Sequence, residues 1–139
     1  MPEPECLLRG KQFQEIVRED FRKNNKDGLL TFEKVRKLSR KKTGRLDILV
    51  SELGDYVAVY EIKATDWDSI KPKNIKKNAW RHQNQLCKYV NTYIKENVDV
   101  CVGIIYAAPP KTPGLRETIE TYLENYGAPA YWFNEINSN

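Results

Sequence analysis

Three charged residues stand out because they interrupt stretches that otherwise favour buried strands. Asp47 lies in the apolar run at residues 46–50. Glu61 and Lys63 lie in the Val-, Tyr- and Ile-rich run at 56–64. A charged side chain in such a stretch is costly unless it has a partner. Residues two apart in a strand project from the same face, so we expect Glu61 and Lys63 side by side, with Asp47 on the adjacent strand.

Two converging carboxylates with a nearby ammonium suit the hydrolysis of phosphate esters. Carboxylate oxygens are hard ligands that favour Mg²⁺ or Mn²⁺. Such an ion can activate water, and together with Lys63 it can offset the charge that builds on a phosphate under attack. The sequence leaves open whether Lys63 positions the water, helps to deprotonate it or only neutralises the anion. The rival interpretation is a surface hairpin with an ordinary cross-strand ion pair.

The composition excludes several other kinds of site. The 139 residues include one histidine, His82, which excludes centres built on several imidazoles and is expected on the protein surface. The three cysteines Cys6, Cys87 and Cys101 form no CxxC pair, so we expect neither a zinc site nor a disulfide, and a reducing cytoplasm. The N-terminus lacks an apolar segment, and the longest apolar stretch, 98–108, is too short for a membrane span. We therefore expect a soluble cytoplasmic protein with no membrane partner.

Apolar spacing predicts an alternation of helices and strands within one domain, residues 1–139. The predicted elements are, in chain order, a helix at 7–21, a strand or short helix at 30–38, strands at 46–50 and 56–64 joined by a hairpin at 52–55, a long helix at 74–94, a buried strand at 98–106, a helix with Pro113 in its first turn and Gly127 at its end, and a strand at 130–136. Asp66 and Asp68 are expected to cap or turn the chain rather than to bind a ligand. The order α-β-β-β-α-β, followed by α-β, predicts an α/β fold.

The charged residues and their strands together resemble one known family. Residues 44–50, Gly-Arg-Leu-Asp-Ile-Leu-Val, and 57–63, Val-Ala-Val-Tyr-Glu-Ile-Lys, resemble the signature of the PD-(D/E)XK nuclease superfamily, an acid on one strand and E-x-K on the next. The resemblance implies a restriction-endonuclease-like core, which is a mixed central β-sheet flanked by helices. It implies Asp47 and Glu61 as ligands of Mg²⁺ or Mn²⁺ and Lys63 as the catalytic lysine.

Two further features of the resemblance lie on predicted helices. Many members place a glutamate of the first helix at the metal, and Glu15 is the best match, with Glu19 as the second choice; a solvated helix face is the rival interpretation. Gln85 and Tyr89 match the Q-x-x-x-Y element of the branch that includes RecB-type nucleases. Residues four apart share a helix face, so Gln85 and Tyr89 would orient the lysine or the nucleic-acid backbone. Tyr89 also fits the apolar stripe of its helix.

Two basic segments flank the strands of the motif. Residues 34–45 and 71–95 each hold seven Lys or Arg residues and no acid, in a chain whose net charge is +4. Phosphate binding is mostly electrostatic, so these segments are where a polyanion would lie, and a tryptophan among them can stack on bases. The expected nucleic-acid-binding residues are Lys41, Lys42, Arg45, Lys73, Lys76, Lys77, Trp80 and Arg81.

The expected function is that of a metal-dependent nuclease that hydrolyses phosphodiester bonds of DNA, in an endonucleolytic manner. One alternative is an RNA- or tRNA-cleaving toxin of the same fold, whose partner would be an immunity protein. Another alternative is a non-catalytic module that binds nucleic acid. A homodimer would allow an enzyme of this kind to cut both strands of a duplex.

Overall fold

A computed structural model describes residues 5–24, 30–37, 43–51, 56–125 and 127–136. The helices and strands are α1 (Glu5–Asn24), β1 (Leu30–Lys37), β2 (Thr43–Ser51), β3 (Tyr56–Lys63), α2 (Ile75–Ile94), β4 (Asp99–Tyr106), α3 (Leu115–Asn125), β5 (Ala130–Trp132) and α4 (Phe133–Ile136). Two 3₁₀ turns, Trp67–Ser69 and Pro72–Asn74, lead from β3 into α2. None of the helices in these ranges combines the length and apolar character that a bilayer span requires.

The five strands form one mixed sheet in the order β1-β2-β3-β4-β5. The pairs β1–β2 and β2–β3 are antiparallel, whereas β3–β4 and β4–β5 are parallel. Lys63 pairs with Tyr106, which in turn pairs with Trp132, so the parallel strands end level with one another. The segments that follow β3 and β4 therefore leave the sheet at the same edge.

Side chains alternate between the two faces of the sheet, and each face has its own hydrophobic cluster. Leu49, Val59 and Ile104 belong to a cluster that also contains Leu86 of α2 and Ile119 of α3. The residues between them in the strands point to the other face. They form the second cluster with Val17 of α1, and they are Ile48, Val50, Ala58, Ile62 and Ile105. Helices α2 and α3 thus cover one face and α1 covers the other. The prediction of an α/β fold with a mixed sheet flanked by helices is confirmed.

The order of the long elements is also as predicted, with corrections at several ends. The described part of the ambiguous segment at 30–38, residues 30–37, is a strand, and the predicted hairpin at 52–55 lies outside the described residues. The prediction of a strand through residue 136 is wrong, because β5 ends at Trp132. Trp132 pairs with Tyr106, the last residue of β4, so no strand remains beside the chain beyond that point.

The ends of α3 show one correct and one incorrect prediction. Gly127 follows the helix with φ of 79°, a left-handed conformation that glycine adopts without strain. The Gly127 N–H donates to the carbonyl of Glu124 at 3.0 Å, as expected for a helix C-cap. Pro113 lies two residues before Leu115, where the helix begins, rather than in its first turn.

Candidate active site

Asp47, Glu61 and Lys63 project from the face of the sheet that α2 covers. Leu49 and Val59 mark this face, because both belong to the cluster beneath α2. Asp47 lies two residues before Leu49, and Glu61 lies two residues after Val59, so the alternation of the strands brings them to the same side. Lys63 follows on that side as the last residue of β3. The two-residue spacing predicts the shared face of Glu61 and Lys63.

Strands β2 and β3 separate at the point where the two acids lie. Their backbone pairing extends from Ser51–Val57 to Ile48–Tyr60. One position beyond Ile48, the side chain of Asp47 takes over, and its Oδ2 accepts a hydrogen bond from the N–H of Ile62 at 2.9 Å. The carboxylate of Asp47 is therefore held across the fork between two strands rather than left to rotate in solvent.

Glu61 is a buried carboxyl group, with 1% of its surface exposed. Its Oε1 has no hydrogen-bond partner among the described residues. Burial and then the nearby carboxylate of Asp47 raise the pKa of Glu61 to about 8, and the positive charge of Lys63 opposes that rise only in part. When both are ionised, the two acids repel each other and buried Glu61 lacks solvation, and a cation bound between them would relieve both costs.

Lys63 is held by a residue of the covering helix. Its Nζ donates a hydrogen bond to Oε1 of Gln85 at 2.8 Å. The structure thus brings Gln85 to the catalytic lysine expected from the sequence. Tyr89, one turn later, is 4% exposed and belongs to the cluster beneath α2, so its side chain packs in the core, as the rival interpretation of that residue holds.

The structure does not bring Glu15 to this pair of acids. Helix α1 packs on the opposite face of the sheet, and an Oε of Glu15 lies 2.9 Å from Nη1 of Arg22. Arg22 also holds the second choice, Glu19, at 3.0 Å. Among the described residues, no three His, Cys, Asp or Glu side chains lie together in a way that could hold a metal. The candidate site therefore contains the two carboxylates of Asp47 and Glu61.

The expected nucleic-acid-binding residues fall into two groups. Lys41, Lys42 and the side chain of Arg45 lie outside the described part of the chain. The other expected nucleic-acid-binding residues are all exposed, and they are Lys73, Lys76, Lys77, Trp80 and Arg81. Because residues four apart align along a helix, Lys77 and Arg81 form a ridge on α2 that leads to Gln85. A basic surface thus runs up to Gln85, the partner of Lys63.

His82 is not the surface residue that we expected. Its Nδ1 lies 2.8 Å from the hydroxyl oxygen of Tyr106, and its ring packs against Trp67 with centroids 5.7 Å apart. Burial, followed by the positive charges of Lys63 and Arg81, lowers the pKa of His82 to about 4. The ring is therefore neutral near pH 7.

A signal for the burial of His82 was present in the sequence. His82 lies three residues after Ala79 and four before Leu86, and both of these are fully buried. Three- and four-residue intervals place His82 on the apolar stripe of α2. The basic composition of residues 71–95, the segment that contains His82, predicts a surface position instead.

The residues present fit a hard divalent cation. Asp47 and Glu61 offer carboxylate oxygens, the ligand type that Mg²⁺ and Mn²⁺ prefer, and one buried oxygen of Glu61 has no partner among the described residues.

No protein-family model matches this chain, and no curated protein matches it either. We therefore infer the chemistry of the site from these residues and their geometry.

Proposed function

We propose that this protein is a metal-dependent nuclease with a restriction-endonuclease-like core, which hydrolyses phosphodiester bonds of DNA in an endonucleolytic manner. The observation that carries the proposal is the adjacent pair of carboxyl groups, half-buried Asp47 and buried Glu61, beside a lysine that Gln85 holds in place. The mixed sheet, with helices on both faces and the acids on adjacent strands, is compatible with such a core. A surface hairpin with an ordinary ion pair would not bury Glu61 to 1% exposure.

Asp47 and Glu61 are the residues that would hold the Mg²⁺ or Mn²⁺ ion. A bound ion would supply a Lewis acid for the phosphate and lower the pKa of an attacking water. The protein contributes orientation, because the N–H of Ile62 fixes Oδ2 of Asp47 and the packing around Glu61 fixes its carboxyl group. Burial also excludes bulk water, which strengthens the electrostatic interactions within the site.

Lys63 has a separate role in this proposal. Its ammonium group has three hydrogens, and Gln85 accepts one of them. The others are available to a phosphate oxygen or to the attacking water, and the positive charge stabilises the anionic transition state. Exposed Lys77 and Arg81 on the ridge of α2 would bind the neighbouring phosphates and set the path of the strand.

The test is an assay on a panel of nucleic acids with Mg²⁺ or Mn²⁺. Circular double- and single-stranded DNA report endonucleolytic cutting, because an exonuclease needs an end, and RNA and tRNA are assayed in parallel. We expect DNA cleavage that is lost in Glu61→Gln and Lys63→Ala and retained in the exposed controls Glu117→Gln and Lys23→Ala. Full activity in both site variants would overturn the proposal.

The same panel separates the other interpretations. Cleavage of RNA alone would indicate the toxin-type enzyme, and toxicity on expression that an immunity protein relieves would support it. Salt-sensitive binding without cleavage would indicate a non-catalytic module. The homodimer stays a prediction, to be checked by sedimentation with and without DNA, and the cytoplasm remains the proposed location because it holds the proposed substrate.

A further inference from the structure

A cleft of about 700 Å³ lies at the sheet edge where β3 and β4 end. One wall is the segment after β3, comprising the 3₁₀ turns and the first turn of α2, and the other wall is residues 112–118 after β4. Lys63, the last residue of β3, leaves the sheet at this same edge. Where parallel strands end together, the crevice beyond their carboxyl ends is a frequent ligand site. The volume is within the range of pockets that bind small organic groups.

The walls of the cleft are mainly apolar and its rim is basic. The apolar residues that line it are Trp67, Ile70, Pro72, Ile75, Pro113 and Leu115. Lys73 and Lys76 are exposed and also line it. This combination suits a flat apolar group that carries a negative charge at one end.

Trp67 supplies an unused hydrogen-bond donor. The residue is 1% exposed, and its indole Nε1 has no acceptor among the described residues. A buried N–H without an acceptor is costly, and most such groups in proteins are satisfied. An acceptor atom on a ligand in the cleft would satisfy it. Trp67 also packs against His82, one helical turn from Gln85, so direct contacts link the cleft to the helix that holds Lys63.

A hydrogen-bond network fixes the two walls relative to each other. The carboxylate of Asp68 accepts hydrogen bonds from the N–H groups of Lys111 and Thr112 and from the hydroxyl of Thr112. These donors lower the pKa of Asp68 and offset its charge, with the Lys111 N–H as the largest cause. Lys73 and Lys76 form no salt bridge within the described part of the chain, which leaves them for an anion.

We propose that this cleft binds one nucleotide of an unpaired nucleic-acid strand. Its base would lie between the apolar walls with a ring acceptor on Nε1 of Trp67, and its phosphate would lie near Lys73 and Lys76. A base that is paired in a duplex cannot enter such a cleft unless it is flipped out, so the preferred substrate carries unpaired nucleotides next to the cut. The proposal rests on the proposed nuclease function and specifies its substrate class.

The distance along α2 is short enough for one continuous nucleic-acid strand to reach both the cleft and the candidate active site. Ile75 at the cleft and Gln85 at the site are ten residues apart, which is about 15 Å of helix. The basic residues Lys77 and Arg81 lie between them and are exposed. A strand of a few nucleotides would therefore cross the ridge between the cleft and the catalytic lysine.

The first test is a matched pair of variants on α3. Thr118 lines the cleft and is exposed, so Thr118→Trp would fill the cleft, whereas Thr121, exposed on the same helix, does not line it. In EDTA, where no cleavage occurs, we expect Thr118→Trp to weaken binding of a short single-stranded oligonucleotide about tenfold, the scale of one stacked base, and Thr121→Trp to leave binding unchanged. Equal binding by both folded variants would overturn the proposal.

The second test follows the indole N–H resonance of Trp67, identified by its loss in Trp67→Phe. A dinucleotide should shift this resonance, and an abasic analogue of equal charge should not. An unmoved resonance with every nucleotide, or a mononucleotide that binds as tightly as the oligonucleotide, would overturn the proposal of a strand site. Oligonucleotide binding with no cleavage under any condition would overturn the nuclease function alone, and cleavage that Thr118→Trp leaves intact would count against the cleft alone.

Discussion

Nζ of Lys63 and Oε1 of Gln85 lie 2.8 Å apart, in a hydrogen bond that joins the end of β3 to the third turn of α2. The bond spans 22 residues of sequence and lies at a partly exposed position. An unrestrained lysine side chain would sample many rotamers, and the amide of Gln85 selects one of them. The position of the proposed catalytic ammonium thus depends on how α2 packs on the sheet.

Replacing Gln85 by leucine should lower the catalytic rate while leaving substrate affinity nearly unchanged. A misplaced catalytic group costs about 10- to 100-fold in rate, and Leu removes the acceptor while preserving side-chain volume. Single-turnover kinetics at saturating substrate would measure this. As a control, Lys88→Ala, exposed on the same helix, should alter affinity rather than the rate of the chemical step.

Mn²⁺ should stabilise the protein, and the effect should depend on Glu61. An ion that binds only the folded state adds about 2.7 kcal/mol of stability at 100 times its Kd. Calorimetry and thermal unfolding should show binding in the wild type and none in Glu61→Gln. In EDTA near pH 7 that variant should be more stable than the wild type, because burial raises the pKa of Glu61 to about 8 and a neutral amide avoids the cost of protonating that carboxylate on folding.

Glu15→Gln tests whether the proposed metal site consists of Asp47 and Glu61 alone or also includes Glu15, as the resemblance implied. Glu15 lies on α1 across the sheet and is paired with Arg22, so we expect Mn²⁺ affinity to stay at the wild-type value. Titration of both proteins under the same conditions measures this. A large loss of affinity in Glu15→Gln would mean that α1 contributes a ligand after all.

Acid should destabilise the protein through His82. Its pKa is about 4 in the folded state and near 6.5 when the chain is unfolded, so the unfolded state binds the extra proton between these values. This part of the stability is therefore complete above pH 6.5 and is lost progressively as the pH falls toward 4, to a maximum of about 3 kcal/mol. Urea unfolding at several pH values would measure it, and His82→Phe should remove that part of the pH dependence.

Two glycines should respond in opposite ways to alanine. A Cβ on Gly103 would collide with the ring of Tyr131 and lie 3.0 Å from Cδ1 of Tyr60, so Gly103→Ala should cost about 1–3 kcal/mol. On α1, a Cβ at Gly10 would meet, among the described residues, only Cβ of Ala64, at 4.0 Å, and Gly10→Ala should stabilise the helix by about 0.5–1 kcal/mol. Chemical denaturation of the two variants provides the comparison.

Local regularities explain what could be predicted from the sequence. The alternation of side chains along a strand is a property of a few residues, so the shared face of Glu61 and Lys63 followed from their spacing. The order of helices and strands followed from apolar periodicity in the same way. Gln85 could be predicted as a site residue because the resemblance includes the Q-x-x-x-Y motif on the helix after E-x-K.

The remaining features depend on which surfaces meet, and local patterns do not contain that information. Periodicity identified α1 but not the side of the sheet on which it packs, so Glu15 appeared to be a candidate ligand. The end of β5 was misplaced because the limit is set by its neighbour, which ends at Tyr106. The cleft between the segments after β3 and β4 involves residues more than 40 positions apart, such as Asp68 and Thr112.

The hydrogen bond from the N–H of Ile62 to Asp47 gives that acid a structural role in addition to its proposed chemical role. At the fork, a side chain takes the place that a backbone carbonyl occupies elsewhere along the ladder. An alanine at position 47 would remove a charge and also leave the N–H of Ile62, next to Lys63, without its acceptor, so its effects on function and folding would be mixed. Asparagine keeps an oxygen acceptor for the N–H of Ile62 and removes only the charge, which makes it the substitution that separates the two roles.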